Sequence, residues 1–578
     1  MAARRLIEKT RRRLEREIGA IYKPHSGRLG FALAFPSSYF VGMSNLGFQT
    51  VYRLLNDRES VVCERVFLPD DPDLEDLTRS GTALFTMESQ TAVRDFDVLA
   101  FSLSYELDYP NVLRILSLSK LPELADERGD ESPLVIAGGP AATFNPEPLA
   151  PFIDLFVIGE AEEVVPELVE SLLRHRDLDR ADLLLKLAAI DGVYVPRFYE
   201  PEYHEDGTLR RMNRSGDVPA RIRRRWVRTL APYAATSAIL TPETEFSNMI
   251  LAEVARGCGR QCRFCVAGYA YLPPRAGSAE TLLDGIRKAG EKALQRSHEH
   301  PRIGLLSASV FDHPSSLLIC QALVERERIF SISSTRADTL NEDIVETLHR
   351  GGHETLTIAP EAGGERLRRV INKAMTDKDI ISAAALAWDG GFRRLKLYFM
   401  LGLPTEEAAD VAGISALVGE ISRMFRWEKL IASISCFVPK PWTPFQWAPM
   451  EEEKLLAAKI AEIRRALRSA RGVEVSAESP REAVAQAVLA RGDRRLTGAL
   501  IALSREQISW RAAFSKGGVD PFFYAHRARH KDEVLPWDHL DLGIHKQYLW
   551  HEYERAMKAA PTPACIVGTC RRCGVCHD

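Results

Sequence analysis

At 578 residues the chain is too long for one hydrophobic core and points to several domains. A composition of 46% hydrophobic and 27% charged residues excludes a disordered or fibrous chain, and a formal net charge of −3 gives no overall pull toward nucleic acid. No stretch is apolar enough to span a bilayer and no signal-peptide core follows the arginines of the N-terminus, so a cytoplasmic protein without membrane insertion is expected.

Residues 1–24 read as a basic amphipathic helix, with Leu6, Leu14, Ile18 and Ile21 at near-helical spacing. From 25 to 185 short apolar runs alternate with amphipathic stretches. The runs at 31–35, 61–68, 98–103, 134–137 and 155–158 are apolar on both faces and predict buried strands, while 45–55, 110–118 and 161–173 predict helices. Their alternation predicts an α/β unit, a Rossmann-like doubly wound parallel sheet. Ligands of such a sheet sit beyond the carboxyl ends of the strands, where Gly138-Gly139-Pro140 and Gly159-Glu160 make turns.

Residues 186–245 read as a connector with a small β element, and the arginine-rich run at 221–228 as a solvated or interdomain face rather than a nucleic-acid contact. The alternation restarts at 246. Strand-like segments at 249–254, 303–307, 330–334, 355–359, 394–400 and 431–437, with helical patterns between them, predict a partial or full β/α barrel over 246–450. Residues 451–560 are mostly helical in pattern, and 561–578 form a cysteine-rich tail.

The ten cysteines are unevenly spread. Cys63, Cys320 and Cys436 stand alone in apolar surroundings and read as small buried hydrophobes. The other seven fall in two tight groups, and clustered cysteines in a long cytosolic chain more often hold a metal than form disulfides. In the first group, Cys258-Gly-Arg-Gln-Cys262-Arg-Phe-Cys265 offers three thiolates from one short loop after a predicted strand. A 4Fe-4S cubane takes one ligand per iron, so three cysteines leave one iron open. That iron can chelate the amino and carboxylate groups of S-adenosylmethionine (SAM) and pass an electron to its sulfonium. Structural zinc, the competing reading, takes four protein ligands, and no fourth Cys or His lies nearby.

With this loop the sequence resembles the radical SAM superfamily. The likeness continues through Ser333-Ser-Thr-Arg336-Ala-Asp, Thr357-Ile-Ala-Pro-Glu361-Ala-Gly-Gly-Glu-Arg-Leu and Lys396-Leu-Tyr-Phe-Met-Leu-Gly402-Leu-Pro404-Thr-Glu. These look like later barrel strands of a subgroup that carries an N-terminal cobalamin-binding-type domain, and the likeness covers roughly 25–450. It implies that Phe264 lies against the adenine and that Ser307 and Ser309 lie near the SAM amino group, although the superfamily's usual Gly-Gly-Glu is missing there. By the same likeness Arg336 and Glu361 reach the SAM carboxylate and ribose, and Gly402 and Pro404 line the adenine. A reductant such as flavodoxin or ferredoxin is the implied partner.

The likeness also implies a corrin stacked between the N-terminal sheet and the barrel. Many cobalamin modules supply a lower axial histidine from D-x-H-x-x-G, but 1–190 contains only His25 and His175, in no such motif. Either cobalamin binds without a protein histidine, or the domain keeps only the fold. A bound corrin would lie near Ser37, Ser104, Tyr105, Gly139 and Glu160. Without an axial histidine the cobalt favours a four-coordinate Co(I) state, a nucleophile suited to taking a methyl group from SAM.

The second group, Cys565-Ile-Val-Gly-Thr-Cys570-Arg-Arg-Cys573-Gly-Val-Cys576, makes a complete ligand set. Three thiolates at successive x2 steps are a ferredoxin-like run, whereas zinc tetrathiolates use two separated knuckles. An auxiliary iron–sulfur cluster, zinc, and a redox-active tail remain the three readings. The segment 535–554 before it reads as a helix packed on the barrel mouth, or as a lid carrying Asp538, His539 or His545. The expected function is cobalamin-assisted methyl transfer to an unactivated centre. The alternatives are a non-methylating radical reaction, such as sulfur insertion or rearrangement, and a non-catalytic iron–sulfur electron carrier. The substrate is not legible.

Overall fold

Runs such as Leu-Gly-Phe-Ala-Leu-Ala-Phe can be buried only in the middle of a sheet covered on both faces. The computed structural model, which describes residues 2–233, 235–297 and 300–577, uses them in that way. Strands β1 (Leu29–Phe35), β2 (Val61–Phe67), β3 (Val98–Ser102), β4 (Leu134–Gly138), β5 (Leu155–Val157) and β6 (Val193–Tyr194) form one sheet in the order β2-β1-β3-β4-β5-β6. All neighbours are parallel except β5 and β6. The order reverses between β1 and β3, and that switch point is where doubly wound sheets open a ligand crevice. The sheet runs past 185 because β6 adds an antiparallel edge from the expected connector.

A second parallel series begins with β7 (Ile250–Glu253), β8 (Ile303–Leu306) and β9 (Phe330–Ile332), followed by β10 (Thr355–Glu361), β11 (Arg394–Leu401), β12 (Lys429–Cys436) and β13 (Val473–Ala477). The first three are one hydrogen-bonded set and the last four another. They meet at a seam where the Thr335 N–H donates to the Thr357 carbonyl at 2.9 Å. Beside it the ring of His353 does the work of a missing ladder. Its Nε2 accepts the Ile332 N–H at 3.2 Å, while Nδ1 donates to the Leu348 carbonyl at 3.0 Å. Among the described residues β7 and β13 do not pair, so the series is an open, partial barrel. β13 lies where helix was expected; it is a short strand, pairing in parallel with β12.

The N-terminal helix α1 (Ala2–Arg16) uses part of its charge in ion pairs at the surface with later segments of the chain. Lys9 reaches Asp70 and Asp73 at 2.7 and 2.6 Å, and Arg13 and Arg16 each reach Glu243 at 2.9 Å. The arginine run is divided: Arg221, Arg223 and Arg228 are exposed, while Arg224 donates to the Ala270 and Leu272 carbonyls and Arg225 to Glu167.

The C-terminal helices wrap both units. Asn145, beyond β4, donates to the carbonyls of Ala490 and Gly492 at 3.1 and 2.8 Å. Arg494 pairs with buried Glu147 at 2.9 Å, and Arg114 donates to the Leu503 carbonyl at 2.9 Å. Leu540 and Asp541 pair with Ile222 and Arg223.

Candidate active site at the barrel mouth

The chain leaves β7 through Ala255–Arg256, which pairs antiparallel with Arg275–Ala276 and so closes the cysteine loop into a neck. Gly257 turns the chain at φ +76°, and a Cβ there would lie 2.3 Å from the Tyr271 carbonyl oxygen. Only glycine fits. Within the loop the Cys258 N–H donates to the Ala267 carbonyl and the Cys265 N–H to the Cys262 carbonyl, each at 3.0 Å. Burial raises the Cys258 thiol and pushes Cys265 up to about 12, with the neighbouring Cys262 adding to it. Both are protonated at neutral pH without iron, so binding iron must release protons.

Two residues between the cysteines anchor the loop. Gln261 takes the left-handed conformation at φ 57° and is fully buried. Its backbone carbonyl accepts from the Tyr269 hydroxyl and from Asn372, both at 3.1 Å, and its Oε1 accepts from the Tyr548 hydroxyl at 2.6 Å. The Gln261 Nε2 is buried with no hydrogen-bond partner, an orphan donor. Arg263, also fully buried, donates to the carbonyls of Arg369, Val370 and Ala560, to the Thr562 hydroxyl and to Glu552. Glu552 lies on α2 (Lys546–Met557), so the C-terminal helix is bolted to the cysteine loop. The spacing of the cysteines gives no sign of these two anchors, nor of Asn372 and Tyr548.

The other expected residues sit on the same rim, at or just past the carboxyl ends of β8 to β11. The Ser309 N–H donates to the Ser307 hydroxyl at 3.3 Å. Arg336 pairs with Asp338 at 2.9 Å. Glu361 ends β10 in the left-handed region at φ 71° and takes an ion pair from Lys373 at 2.8 Å. Gly402 follows β11 at φ +81°, and its N–H donates to Glu406 at 3.0 Å, with Pro404 completing the turn. Phe264 packs against an apolar cluster that includes Ile371, Met400 and Phe437. Among the described residues, no three His, Cys, Asp or Glu groups converge on a single point as a lone ion would need. A cubane takes its ligands at separate corners and does not require such convergence.

A cavity of about 620 Å³ joins this rim to the N-terminal sheet. On the sheet side it is walled by Leu33, Ala100 and Ile136 at the switch point and by Gly47, Val51 and Leu55 of the helix Leu46–Asn56. Its mouth is lined by Ser307, Arg256 and Gly257. Of the expected sheet-side residues, Ser104, Gly139 and Glu160 line it, while Ser37 and Tyr105 do not. The Glu160 carboxylate is already engaged: Arg275 donates at 2.6 and 2.8 Å, Arg256 lies at 2.9 Å and the Val227 N–H at 3.0 Å. Burial raises its pKa, but the Arg275 and Arg256 guanidinium groups outweigh burial and hold the carboxyl below the ordinary range. Neither N-terminal histidine lines the cavity. His25 pairs with Glu64 at 2.8 Å, and His175 caps its own helix at the Ser171 carbonyl.

The C-terminal cysteines pack on the same loop. The Cys565 N–H donates to the Gly259 carbonyl at 2.7 Å, and the His545 N–H to the Cys573 carbonyl at 3.0 Å. Of the lid candidates, His539 is buried against Tyr194 and Glu147 of the N-terminal unit, and Asp538 pairs with Lys546. His545 lies against Gly574. None of the three reaches into the cavity.

Residues 252–418 match the family described as the radical SAM superfamily, and 47–196 match the family described as radical SAM proteins, N-terminal. An uncharacterized protein of Methanocaldococcus jannaschii is 31% identical over 423 residues, 72% of this chain and 82% of that one. An uncharacterized methyltransferase of Pyrococcus horikoshii is 25% identical over 297 residues, 49% of this chain and 57% of the relative. Among solved structures, the radical SAM methyltransferase TsrM from Kitasatospora setae, with cobalamin and a [4Fe-4S] cluster bound, aligns at 13% identity and a TM-score of 0.47. It covers 85% of this chain and 98% of that one.

Proposed function

Because this chain belongs to the radical SAM superfamily, we propose that Cys258, Cys262 and Cys265 hold its 4Fe-4S cluster and that the enzyme transfers a methyl group with the help of a corrinoid on the N-terminal sheet. When bound, the cluster supplies the electron that cleaves SAM, and the corrinoid supplies a cobalt that carries a methyl group. The donor set suits the cluster: three thiols, a buried orphan amide at Gln261 and no fourth ligand from the loop. The observation that carries the corrinoid is the cavity. It is lined by residues at the sheet's switch point and by residues of the barrel rim, and its lining is mostly apolar. The Pyrococcus relative's description as a methyltransferase points the same way.

The chain's own groups then have distinct tasks. Arg336 and Lys373 offer cations on the rim for a carboxylate, and Ser307 and Ser309 offer hydroxyls for an ammonium. Gly402 and Pro404 shape a turn against which a flat base can lie, with Phe264 beside it. Among the described residues no histidine lines the cavity, so none there would offer an imidazole to a corrinoid.

The test is anaerobic reconstitution with iron, sulfide and hydroxocobalamin, followed by desalting, reduction and addition of SAM. Retained corrin absorbance, with 5′-deoxyadenosine or S-adenosylhomocysteine formed by the parent and not by the Cys258→Ala/Cys262→Ala/Cys265→Ala variant, is expected. Loss of all corrin absorbance on desalting removes the corrinoid. SAM cleavage without any methylated product, in extracts offered as substrate, moves the reaction to the non-methylating class.

A further inference from the structure

The cysteine tail has no part in the reading above, yet it is held against the loop that reading depends on. The Cys565 N–H donates to the Gly259 carbonyl, and Gly259 is the residue after Cys258. Asn372 grips both segments: its Nδ2 donates to the Gln261 and Thr562 carbonyls at 3.1 Å, and its Oδ1 accepts the Thr562 N–H at 2.8 Å. Arg263 does the same from inside the loop through Ala560 and Thr562. Gly574 brings the tail onto the His545 ring at φ +96°, where a Cβ would stand 2.6 Å from Nε2. Cys573 is buried beneath it, while Cys565, Cys570 and Cys576 are half-buried.

One of the four sulfurs has a cationic donor beside it. The Arg572 Nε donates to the Cys570 sulfur at 3.3 Å, and its Nη2 fixes the turn through the Pro563 carbonyl at 2.7 Å. Hydrogen bonds to ligand sulfurs stabilise the added charge of a reduced cluster. The outer side of the tail is open to solvent, with Ile566 and Val567 67% and 51% exposed and Arg571 beside them.

We propose that Cys565, Cys570, Cys573 and Cys576 hold a second iron–sulfur cluster on the outer face of the first cluster's loop, and that it relays electrons inward. The relay rests on the first cluster being held by Cys258, Cys262 and Cys265; the second site does not. The backbone of one residue, Gly259, and one hydrogen bond, donated by the Cys565 N–H to the Gly259 carbonyl, connect a ligand of one cluster to a ligand of the other. Tunnelling decays less steeply through bonds and hydrogen bonds than through open space. An external low-potential one-electron donor, a reduced flavodoxin- or ferredoxin-type carrier, gives one electron to the outer cluster. The outer cluster returns to its oxidised state as the inner one is reduced by that same electron. No proton or atom moves, and SAM is the final acceptor.

The experiment uses full-length protein reconstituted without oxygen, in three forms: parent, Cys570→Ser/Cys573→Ser, and Cys258→Ala/Cys262→Ala/Cys265→Ala. Circular dichroism and gel filtration select folded material. Iron and acid-labile sulfide in each variant should fall to about half of the parent value, each having lost one of two clusters. Unchanged iron in the tail variant, or stoichiometric zinc in the parent, overturns the second site. If instead the loop variant keeps all its iron, the inner cluster is wrong and the tail site stands alone. Electron paramagnetic resonance after dithionite reduction then tests the relay. Two neighbouring paramagnets broaden and split each other's signals, so the parent spectrum should differ from the sum of the two variants' spectra. A parent spectrum equal to that sum overturns the relay. Should the tail variant not fold, Cys565→Ser alone, at the loop contact, replaces it with the same expected loss.

Discussion

Arg263→Met is the most informative single substitution, because Arg263 sits between two proposed ligands yet points away from the site into the C-terminal helix. The change removes every side-chain bond that Arg263 makes and leaves Glu552, whose side chain is only 4% exposed, with the Thr562 hydroxyl at 2.6 Å and the half-exposed Arg555 guanidinium at 3.6 Å as its partners. Removing one partner of a buried pair costs ~3–5 kcal/mol, and the longer, solvent-screened Arg555 contact offsets only part of that. Three backbone carbonyls lose a donor as well. Each 1.4 kcal/mol is a factor of ten, so local opening of the loop should rise by about a hundredfold or more. Hydrogen exchange read by mass spectrometry over 258–270 and 546–562 reports that opening directly, without assuming that so large a chain unfolds in one step. Arg260→Met is the control. That residue pairs with Asp312 at a partly exposed position, where an ion pair contributes ~0–1 kcal/mol. Arg263→Met/Glu552→Gln should recover part of the loss, since it removes the stranded charge. Exchange in Arg263→Met that rises less than fivefold, or no more than in Arg260→Met, would refute the bolt.

The seam offers a pH test. Burial depresses His353 from 6.5 to about 4, against the smaller opposing effect of its bond to the Leu348 carbonyl. An unfolded chain takes up the proton first, so the contribution is intact above about pH 6.5 and is lost as pH falls toward 4, by up to ~3 kcal/mol. Denaturant midpoints measured between pH 4 and 7.5 should show this slope in the parent and a flatter one in His353→Gln; equal slopes would mean that another group carries it. Gly257→Ala should cost at least ~2 kcal/mol, from the left-handed conformation and the overlap with the Tyr271 carbonyl. Reconstituted iron should fall with it. Gly81→Ala, at φ +67° with open space around it, isolates the conformational part, and matching losses in the two variants would exclude the overlap as the cause.

The first parallel series was legible because its strands are apolar on both faces, the second because strand-like runs alternate with helical patterns, and the loop because three thiols in eight residues have few uses. The rim residues Ser307, Arg336, Glu361 and Gly402 were implied by the family likeness, and the structure places them at or just past strand ends. β13 stayed hidden because a strand of five residues between helical stretches carries too little pattern to separate from its neighbours. The anchors were hidden for a different reason. Gln261 and Arg263 look like solvated loop residues, and only their partners 287 and 289 positions later make burial tolerable. The contact between the two cysteine groups is likewise a tertiary fact, carried by backbone atoms that every sequence possesses. Glu160 shows the converse. Its place at a strand end suggested a ligand contact, but two arginines of the barrel consume its charge.

The wrapping of the C-terminal helices around the N-terminal sheet bears on how such enzymes can be rearranged. A unit whose β4 turn is held by Ala490 and Gly492, and whose buried Glu147 needs Arg494, is not a cartridge that can be lifted out at residue 196. Cut there, it would expose the Glu147 carboxylate without its arginine and leave Asn145 without its carbonyls. Grafting this sheet onto another barrel would therefore require carrying residues from both ends of the chain. During synthesis, the first unit to emerge must also wait for nearly the last before its polar interior is complete.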